Sequence, residues 1–227
     1  MIKAVIFDLY ETLVTQSGTV VPRAGALGES LGLDATAYRR EWKQLRPLVL
    51  CGQWTFEQAL IEVGTRLGVT IPDERVRRAC DARIRANTAV FQEIDPEIVA
   101  LTRDLHNRGV RLATISNCMP EDVMAWPSSA FAPQFGYAAF SFAVECLKPN
   151  PQIYFTTIEQ LGVNPAETLY IGDGGDDELA GAERAGLRAA QAGWFVQREA
   201  LAGIPCLANP QDVMKIMDGY LLRLSMT

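Results

Sequence analysis

Side chains that can take part in catalysis follow four separate apolar runs of this 227-residue chain. Asp8 ends the first run, Ser116 and Asn117 end the second, Lys148 lies in "CLKPNP" beyond the third, and Asp173 ends the fourth. Alone, an aspartate after a strand is typical of a turn or a helix cap, and a lysine before a proline is usually just exposed. Together, in this order and on four different segments, they indicate an active site.

The chemistry that suits this set is attack by a carboxylate on an anionic substrate. Asp8 would be the nucleophile and would form a covalent ester or an acyl phosphate. Ser116 and nearby backbone amides would bind the anionic oxygens of the substrate, and Lys148 would offset the repulsion between two negative charges. The acidic run that begins at Asp173 repels itself unless a cation binds, and its oxygen ligands suit Mg²⁺.

The elements that must position these groups alternate between strands and helices. Continuous apolar runs predict five buried parallel strands, at residues 3–9, 111–117, 138–142, 168–173 and 188–194. Helical patterns that end at a glycine lie at residues 96–109, 150–162 and 177–186. This alternation predicts an α/β fold in which helices cover both faces of a parallel sheet and the catalytic groups meet at its carboxyl edge.

Residues 15–88 interrupt the alternation, because they contain helical patterns and no convincing strand. An insertion after the first strand would lie above the carboxyl edge of the sheet and cover the site. We therefore predict a core domain of residues 1–14 and 89–227, and a helical cap domain of residues 15–88.

Composition excludes several classes of function. A formal net charge of −6 argues against a nucleic-acid partner. No apolar run reaches transmembrane length, and the N-terminus has strand character rather than that of a signal peptide. The five cysteines lack metal-site spacing and are expected to be buried free thiols. We expect a cytoplasmic protein that binds a small anionic molecule and no membrane; the sequence does not specify an oligomeric state.

Four motifs resemble those of the haloacid dehalogenase superfamily of hydrolases, and the resemblance covers essentially the whole chain. The motifs are "DLYETL", "TISN", "KPNPQIY" and "GDGGDDELAGA", in that order. The resemblance implies a Rossmann-like core of three layers, an aspartyl nucleophile at Asp8 and a small helical cap after the first motif. It also implies that the main-chain carbonyl of Tyr10 can serve as a metal ligand.

Tyr10 departs from the pattern of the superfamily's phosphatases, which usually have a second aspartate at this position. That aspartate protonates the leaving oxygen, whereas a phenol with a pKa of about 10 is a poor base at neutral pH. A tyrosine here is similar to the superfamily's dehalogenases, in which halide leaves without an acid. The fourth motif indicates the opposite, because those dehalogenases work without metal and generally have Ser and Asn around the position of Asp173.

The motifs together predict a Mg²⁺-dependent phosphatase that acts on a small phosphorylated metabolite. A 2-haloacid dehalogenase-like hydrolase and a catalytically weak protein that binds phosphorylated ligands are the alternatives. The predicted catalytic residues are Asp8, Tyr10, Ser116, Asn117 and Lys148. The predicted substrate-binding residues are Thr12, Ser116, Asn117 and Arg39. The predicted metal ligands are Asp8, Tyr10, Asp173, Asp177 and Glu178.

Overall fold

A six-stranded sheet lies at the centre of the structure, a computed structural model that describes residues 1–16 and 24–219. All neighbouring strands are parallel, in the order β3-β2-β1-β4-β5-β6. The strands are β1 (Ala4–Asp8), β2 (Arg111–Ser116), β3 (Tyr137–Phe140), β4 (Thr168–Gly172), β5 (Arg188–Ala192) and β6 (Cys206–Leu207). The first five confirm the predicted strands to within two residues. The edge strand β6 was not predicted, because two residues are too few to show a periodicity.

Ten α-helices lie within the described residues. They are α1 (Ala24–Ser30), α2 (Ala35–Leu50), α3 (Phe56–Arg66), α4 (Asp73–Val90), α5 (Pro96–Asn107), α6 (Pro120–Val123), α7 (Ser141–Val144), α8 (Pro151–Leu161), α9 (Glu178–Arg184) and α10 (Asp212–Met217). The predicted ends of α8 are present, because the Asn150 side chain caps its first turn and Gly162 closes it at φ 61°. Helices α5, α8 and α9 therefore confirm the three helical patterns.

The two faces of the sheet pack into separate hydrophobic clusters. Along β1, Val5 and Phe7 join one cluster with Leu101 of α5, whereas Ile6 joins the other with Ile153 of α8. Because both faces are apolar and covered by helices, the core has three layers, as predicted.

Helices α1 to α4, residues 24–90 and called the helical insertion below, pack around a third hydrophobic cluster of their own. Tyr38 of α2 and Leu60 of α3 are completely buried in it, and Met119 of the core contacts it. The predicted boundary at residue 88 falls inside α4, which continues to Val90.

The solvent exposure of the thiols and the lengths of the helices bear on two further expectations. Cys118 is buried as expected, but Cys206 is exposed, so the prediction of buried thiols is wrong for Cys206. Within residues 1–16 and 24–219, every helix is too short or too polar to span a bilayer.

Candidate active site

The carboxyl edge of the sheet brings the predicted groups together. Asp8 ends β1, which pairs with β2 on one side and with β4 on the other. Ser116 at the end of β2 and Asp173 directly after β4 therefore flank Asp8, and all three line one cavity of about 290 Å³. Lys148 lines the same cavity, so four of the predicted segments meet there.

The ammonium of Lys148 is buried between two carboxylates. It donates to Asp8 Oδ1 at 2.5 Å and to Glu178 Oε2, and it lies 3.1 Å from the hydroxyl of Tyr170. That hydroxyl in turn donates to Glu178 Oε2 at 2.6 Å. Burial acts to lower the pKa of Lys148, but the two carboxylates outweigh it and hold the pKa above its ordinary value. Lys148 is therefore a permanent positive charge beside Asp8.

The carboxyl of Asp8 is only 7% exposed. Burial, and then the negative charge of Glu178, raise its pKa from 3.8 to about 8, while Lys148 opposes the rise. Among the described residues, the only hydrogen bond to this carboxyl comes from Lys148, on Oδ1. The second oxygen, Oδ2, is left available for a cation or for attack on a substrate.

Asn117 holds the backbone of Lys148 rather than facing the cavity with free amide groups. Its Oδ1 accepts from the Lys148 N–H at 2.8 Å, and its Nδ2 donates to the Lys148 carbonyl at 3.0 Å and to Asp176 at 3.1 Å. The predicted role in substrate binding stays a prediction, but the geometry gives Asn117 the function of positioning Lys148.

The acidic turn after β4 buries Glu178 and leaves Asp176 and Asp177 exposed. Gly174, Asp176 and Asp177 all have positive φ, between 51° and 93°, a conformation that Asp tolerates better than most residues. The turn brings the Glu178 carboxylate against Gly172, where a Cβ atom would overlap it. Glu178 is consequently buried, whereas Asp176 and Asp177 are exposed.

Three buried carboxylates form a group that could hold a metal ion. Asp8, Asp173 and Glu178 each offer an oxygen, and these oxygens lie within 4.8 Å of one another. An all-oxygen donor set fits Mg²⁺. Both oxygens of Glu178 already accept hydrogen bonds, from Lys148 and Tyr170 on Oε2 and from the Gly174 N–H on Oε1. Asp8, whose Oδ2 accepts no hydrogen bond among the described residues, is therefore a more available ligand than Glu178.

The hydroxyl of Tyr10 is bonded to the protein. It donates to the carbonyl of Asp122 in α6 at 2.6 Å and lies 3.3 Å from Asn87 Oδ1. Burial, followed by the charges of Asp122 and Cys118, raises the pKa of Tyr10 well above its ordinary value. The phenol is therefore neutral, and its proton is engaged away from Asp8.

A buried polar network surrounds Asp122 and joins the helical insertion to the core. Nη2 of Arg83 lies 2.7 and 2.8 Å from the two carboxylate oxygens of Asp122. Asn87 and the Met119 N–H donate to the same carboxylate at 2.8 and 3.0 Å. The network therefore connects α4 to α6 beside Tyr10.

Arg198, in the loop that follows β5, lies against the candidate metal group. Its Nε and Nη2 donate to Asp173 Oδ2 at 2.8 and 2.7 Å. The predicted site residues follow the first four strands, and the carboxyl end of the fifth predicted strand leads directly into the loop that carries Arg198.

A family model for haloacid dehalogenase-like hydrolases matches residues 2–186. The chain belongs to this family. It is 25% identical over 194 residues to glyceraldehyde 3-phosphate phosphatase of Methanopyrus kandleri, covering 82% of each chain. It is 30% identical over 179 residues to (S)-2-haloacid dehalogenase of Pseudomonas sp. strain YL, covering 75% of this chain and 74% of the relative.

Solved structures of the family share the fold. The crystal structure of 2-haloacid dehalogenase from Pseudomonas syringae pv. Tomato DC3000 matches with a TM-score of 0.72 at 19% identity, covering 96% of this chain and 99% of that chain. The family and the fold predicted from the motifs are thereby confirmed.

Three predicted site residues of this haloacid dehalogenase-like hydrolase lie away from the cavity. Asp177 is exposed and pairs with Arg184 at 2.9 Å, so it is outside the carboxylate group. Thr12 is buried, and its Oγ1 has no hydrogen-bond partner among the described residues. Arg39 is exposed and its guanidinium lies against Gly25. None of the three lines the cavity with Asp8, and their predicted roles in binding stay predictions.

Two arginines of the helical insertion line the cavity instead. Arg46 lies seven residues after Arg39 on α2, two helical turns or about 10 Å further along the same face. Arg83 lies on α4, and its guanidinium pairs with the carboxylate of Asp122. The spacing of Arg83 and Asn87, four residues apart on a helix, was a signal of a shared partner.

Proposed function

We propose that this chain is a Mg²⁺-dependent phosphohydrolase that acts on a small phosphorylated metabolite through Asp8. The observation that carries the proposal is the group of three buried carboxylates, whose oxygens lie within 4.8 Å of one another and which outnumber the two cations beside them, Lys148 and Arg198. The similarity to a phosphatase along 82% of the chain supports the same activity.

In the proposed reaction, Asp8 attacks phosphorus and the bond from phosphorus to the leaving oxygen breaks. Ser116 lines the cavity next to Asp8 and binds the phosphoryl oxygens. Lys148 offsets the negative charge of Asp8 and the substrate, and Asn117 holds Lys148 in place. Water then hydrolyses the aspartyl phosphate and regenerates Asp8.

Asp8, Asp173 and the Tyr10 carbonyl are the proposed ligands of Mg²⁺, with Glu178 holding Lys148. The Tyr10 carbonyl accepts none of the backbone hydrogen bonds in the described turn that follows β1. When bound, Mg²⁺ would neutralise part of the phosphoryl charge.

The proposed substrates carry a good leaving group. The Tyr10 hydroxyl is bonded to Asp122, so it does not supply a proton to the leaving oxygen. Glu11 also lines the cavity, but its carboxylate accepts from the Thr15 hydroxyl at 2.7 Å and the Gln16 N–H at 2.9 Å. Aryl and acyl phosphates need less help from an acid than alkyl phosphates do.

The helical insertion is proposed to be the cap that selects the substrate. Its Arg46 and Arg83 line the cavity opposite the catalytic carboxylates. Arg83 is fixed by Asp122, whereas Arg46 has no ion pair within the described residues. Arg46 is therefore the cation that we expect to contact a second anionic group of the metabolite.

A dehalogenase-like hydrolase is the second candidate, favoured by the engaged hydroxyl of Tyr10. Displacement of halide by Asp8 needs no proton at the leaving group, so the absence of a general acid does not lower the rate of this reaction. The 30% identity to a 2-haloacid dehalogenase supports this alternative. A protein that binds phosphorylated ligands without turnover is the third.

Initial rates on p-nitrophenyl phosphate and on 2-chloropropionate, each in EDTA and in millimolar Mg²⁺, separate the three. We expect Mg²⁺-dependent release of p-nitrophenol that Asp8→Asn abolishes, with no chloride released. Chloride release that is equal in EDTA and Mg²⁺ would establish the dehalogenase. Turnover of neither compound by a folded protein that binds Mg²⁺ would indicate the ligand-binding protein.

A further inference from the structure

The carboxylate of Asp173 already has a cation bound to it, and that cation belongs to the protein. Arg198 donates to Asp173 Oδ2 through two nitrogens, at 2.8 and 2.7 Å. The Gly175 N–H donates to Asp173 Oδ1 at 2.9 Å. Both oxygens of this candidate metal ligand therefore accept hydrogen bonds from the protein.

Two partly buried hydrogen bonds hold the loop of Arg198 next to Asp173. Gln191 on β5 is 1% exposed, and its Nε2 lies 3.3 Å from both the Asp173 carbonyl and the Glu199 carbonyl. Four residues before Arg198, Trp194 donates its indole N–H to the Thr12 carbonyl at 2.9 Å. The loop is thus attached on either side of Arg198, while the arginine side chain itself is 46% exposed.

The charges of the site balance more closely with Arg198 than without it. Lys148 lies between Asp8 and Glu178 and offsets the charge on that side. Arg198 offsets Asp173, the third carboxylate of the group. A divalent cation at Asp8 and Asp173 would stand next to the guanidinium, and the two positive charges would repel each other at close range.

We propose that Arg198 is an internal competitor of the divalent cation, which binds Asp173 only after the guanidinium has left it. The inference rests on the proposed function, because it assumes that Asp173 is a metal ligand. When only a fraction of the protein molecules is in the state that can bind a ligand, the apparent affinity for that ligand is reduced by the same fraction. Arg198 would therefore lower the affinity for Mg²⁺ and set the concentration at which the site fills.

The test is calorimetric titration of Mg²⁺ into the full-length wild type and into Arg198→Ala. We expect Arg198→Ala to bind Mg²⁺ on the order of fivefold more tightly. The variant lacks the half-exposed ion pair between Arg198 and Asp173, which must break in the wild type before Mg²⁺ binds. Arg198→Lys, which retains the charge on a shorter and more flexible side chain, should fall between the two proteins. Equal or weaker binding by Arg198→Ala would overturn the proposal.

Arg184→Ala is the matched control. Arg184 pairs with Asp177 at the outer side of the same acidic turn, so its loss removes one positive charge without touching Asp173. We expect its affinity for Mg²⁺ to equal that of the wild type. Equal gains in Arg184→Ala and Arg198→Ala would show a general effect of net charge and overturn competition at Asp173.

Thermal unfolding gives a second measurement that does not depend on activity. In EDTA, Arg198→Ala should melt below the wild type, because Asp173 loses its partner; in Mg²⁺ it should show the larger rise in Tm.

Failure of the two proposals is distinguishable. If the wild type, Arg198→Ala and Asp173→Asn bind Mg²⁺ alike, Asp173 is not a ligand and both proposals fail. If Asp173→Asn loses binding while Arg198→Ala binds Mg²⁺ no more tightly than the wild type, the metal site stands and only the competition fails.

Discussion

Tyr10 occupies the position that usually carries an acid in the family's phosphatases. In this chain its side chain instead connects the turn after β1 to α6. The hydroxyl of Tyr10 bonds to the backbone of α6, next to the carboxylate that Arg83 and Asn87 share. A buried hydroxyl in such a bond contributes to stability through the bond itself and through the partner that it satisfies.

Tyr10→Phe should therefore change stability more than catalysis. We expect a loss of about 1–2 kcal/mol in the free energy of unfolding, because the Asp122 carbonyl loses its donor. The rate on p-nitrophenyl phosphate should stay within about threefold of the wild type, since a hydroxyl outside the reaction contributes no proton. Urea unfolding and initial rates measure the two effects. A loss of a hundredfold or more in rate with unchanged stability would show that Tyr10 moves a proton.

The carboxyl of Asp8 makes the stability of the metal-free protein depend on pH. Its pKa is about 8 in the folded chain and 3.8 when unperturbed, so between these values the unfolded chain loses a proton that the folded chain retains. The contribution of Asp8 to stability is thus fully present below about pH 4 and is lost as the pH rises towards about 8.

Asp8→Asn should remove this dependence, because an amide has no proton to lose. In EDTA, the Tm of the variant relative to the wild type should rise as the pH is raised from about 5 to about 8, and should level off above that. Melting curves of both proteins across this range test the expectation. Parallel dependences of Tm on pH in the two proteins would contradict it.

At the level of secondary-structure elements, the conformation of the turn between β4 and α9 depends on a single glycine, the last residue of β4. Gly172 leaves the space that the Glu178 carboxylate fills, and Glu178 in turn holds Lys148 beside Asp8. A side chain at residue 172 would push Glu178 outward and leave Lys148 with one carboxylate.

Gly172→Ala should accordingly destabilise the protein by about 1–3 kcal/mol, the usual cost of overpacking a buried site. Activity should fall with it, because Lys148 is displaced. Gly136→Ala is the control, since a Cβ there would meet only ordinary contacts at 3.7 and 3.8 Å. Urea unfolding of both variants measures the difference. Equal stabilities would contradict the close approach of Glu178 to Gly172.

The secondary structure could be predicted because local patterns determine it. Apolar runs buried on both faces gave the strands, and Asn150 with Gly162 gave the ends of α8. The orientation of the acidic turn could not be predicted, because it depends on positive φ at Asp176 and Asp177. Residue types permit that conformation without requiring it, so the exposure of Asp177 and its pairing with Arg184 could not be predicted.

For the molecule as a whole, the pairs that shape the cavity join distant segments. Arg83 and Asp122 are 39 residues apart, and Arg198 and Asp173 are 25 apart. Such pairs depend on how the helical insertion and the last loops pack on the core, which no local pattern encodes. The family could be recognised because each of the four motifs is a short local stretch of sequence, although their side chains meet only in the folded chain.

Fold alone does not decide between the two proposed activities. Relatives that match three quarters or more of the chain include a phosphatase and a dehalogenase. The decision lies with individual residues, as it does in other folds that support several chemistries. Here the two residues are Tyr10 and Asp173. A tyrosine at the first position is similar to the pattern of the dehalogenases, and an aspartate at the second is similar to that of the phosphatases.

The bond between the Trp194 indole and the Thr12 carbonyl gives the site an optical signal. Trp194 is partly exposed and lies in the Arg198 loop, whereas Trp42 and Trp126 are buried in other regions and Trp54 is partly exposed in the helical insertion. Indole emission responds to hydrogen bonding and to nearby charge, so a loop movement that accompanies cation binding should change the fluorescence intensity or wavelength. Titrating Mg²⁺ while recording emission should give a saturable change that Trp194→Phe abolishes. Persistence of the full change in that variant would assign the signal to another tryptophan.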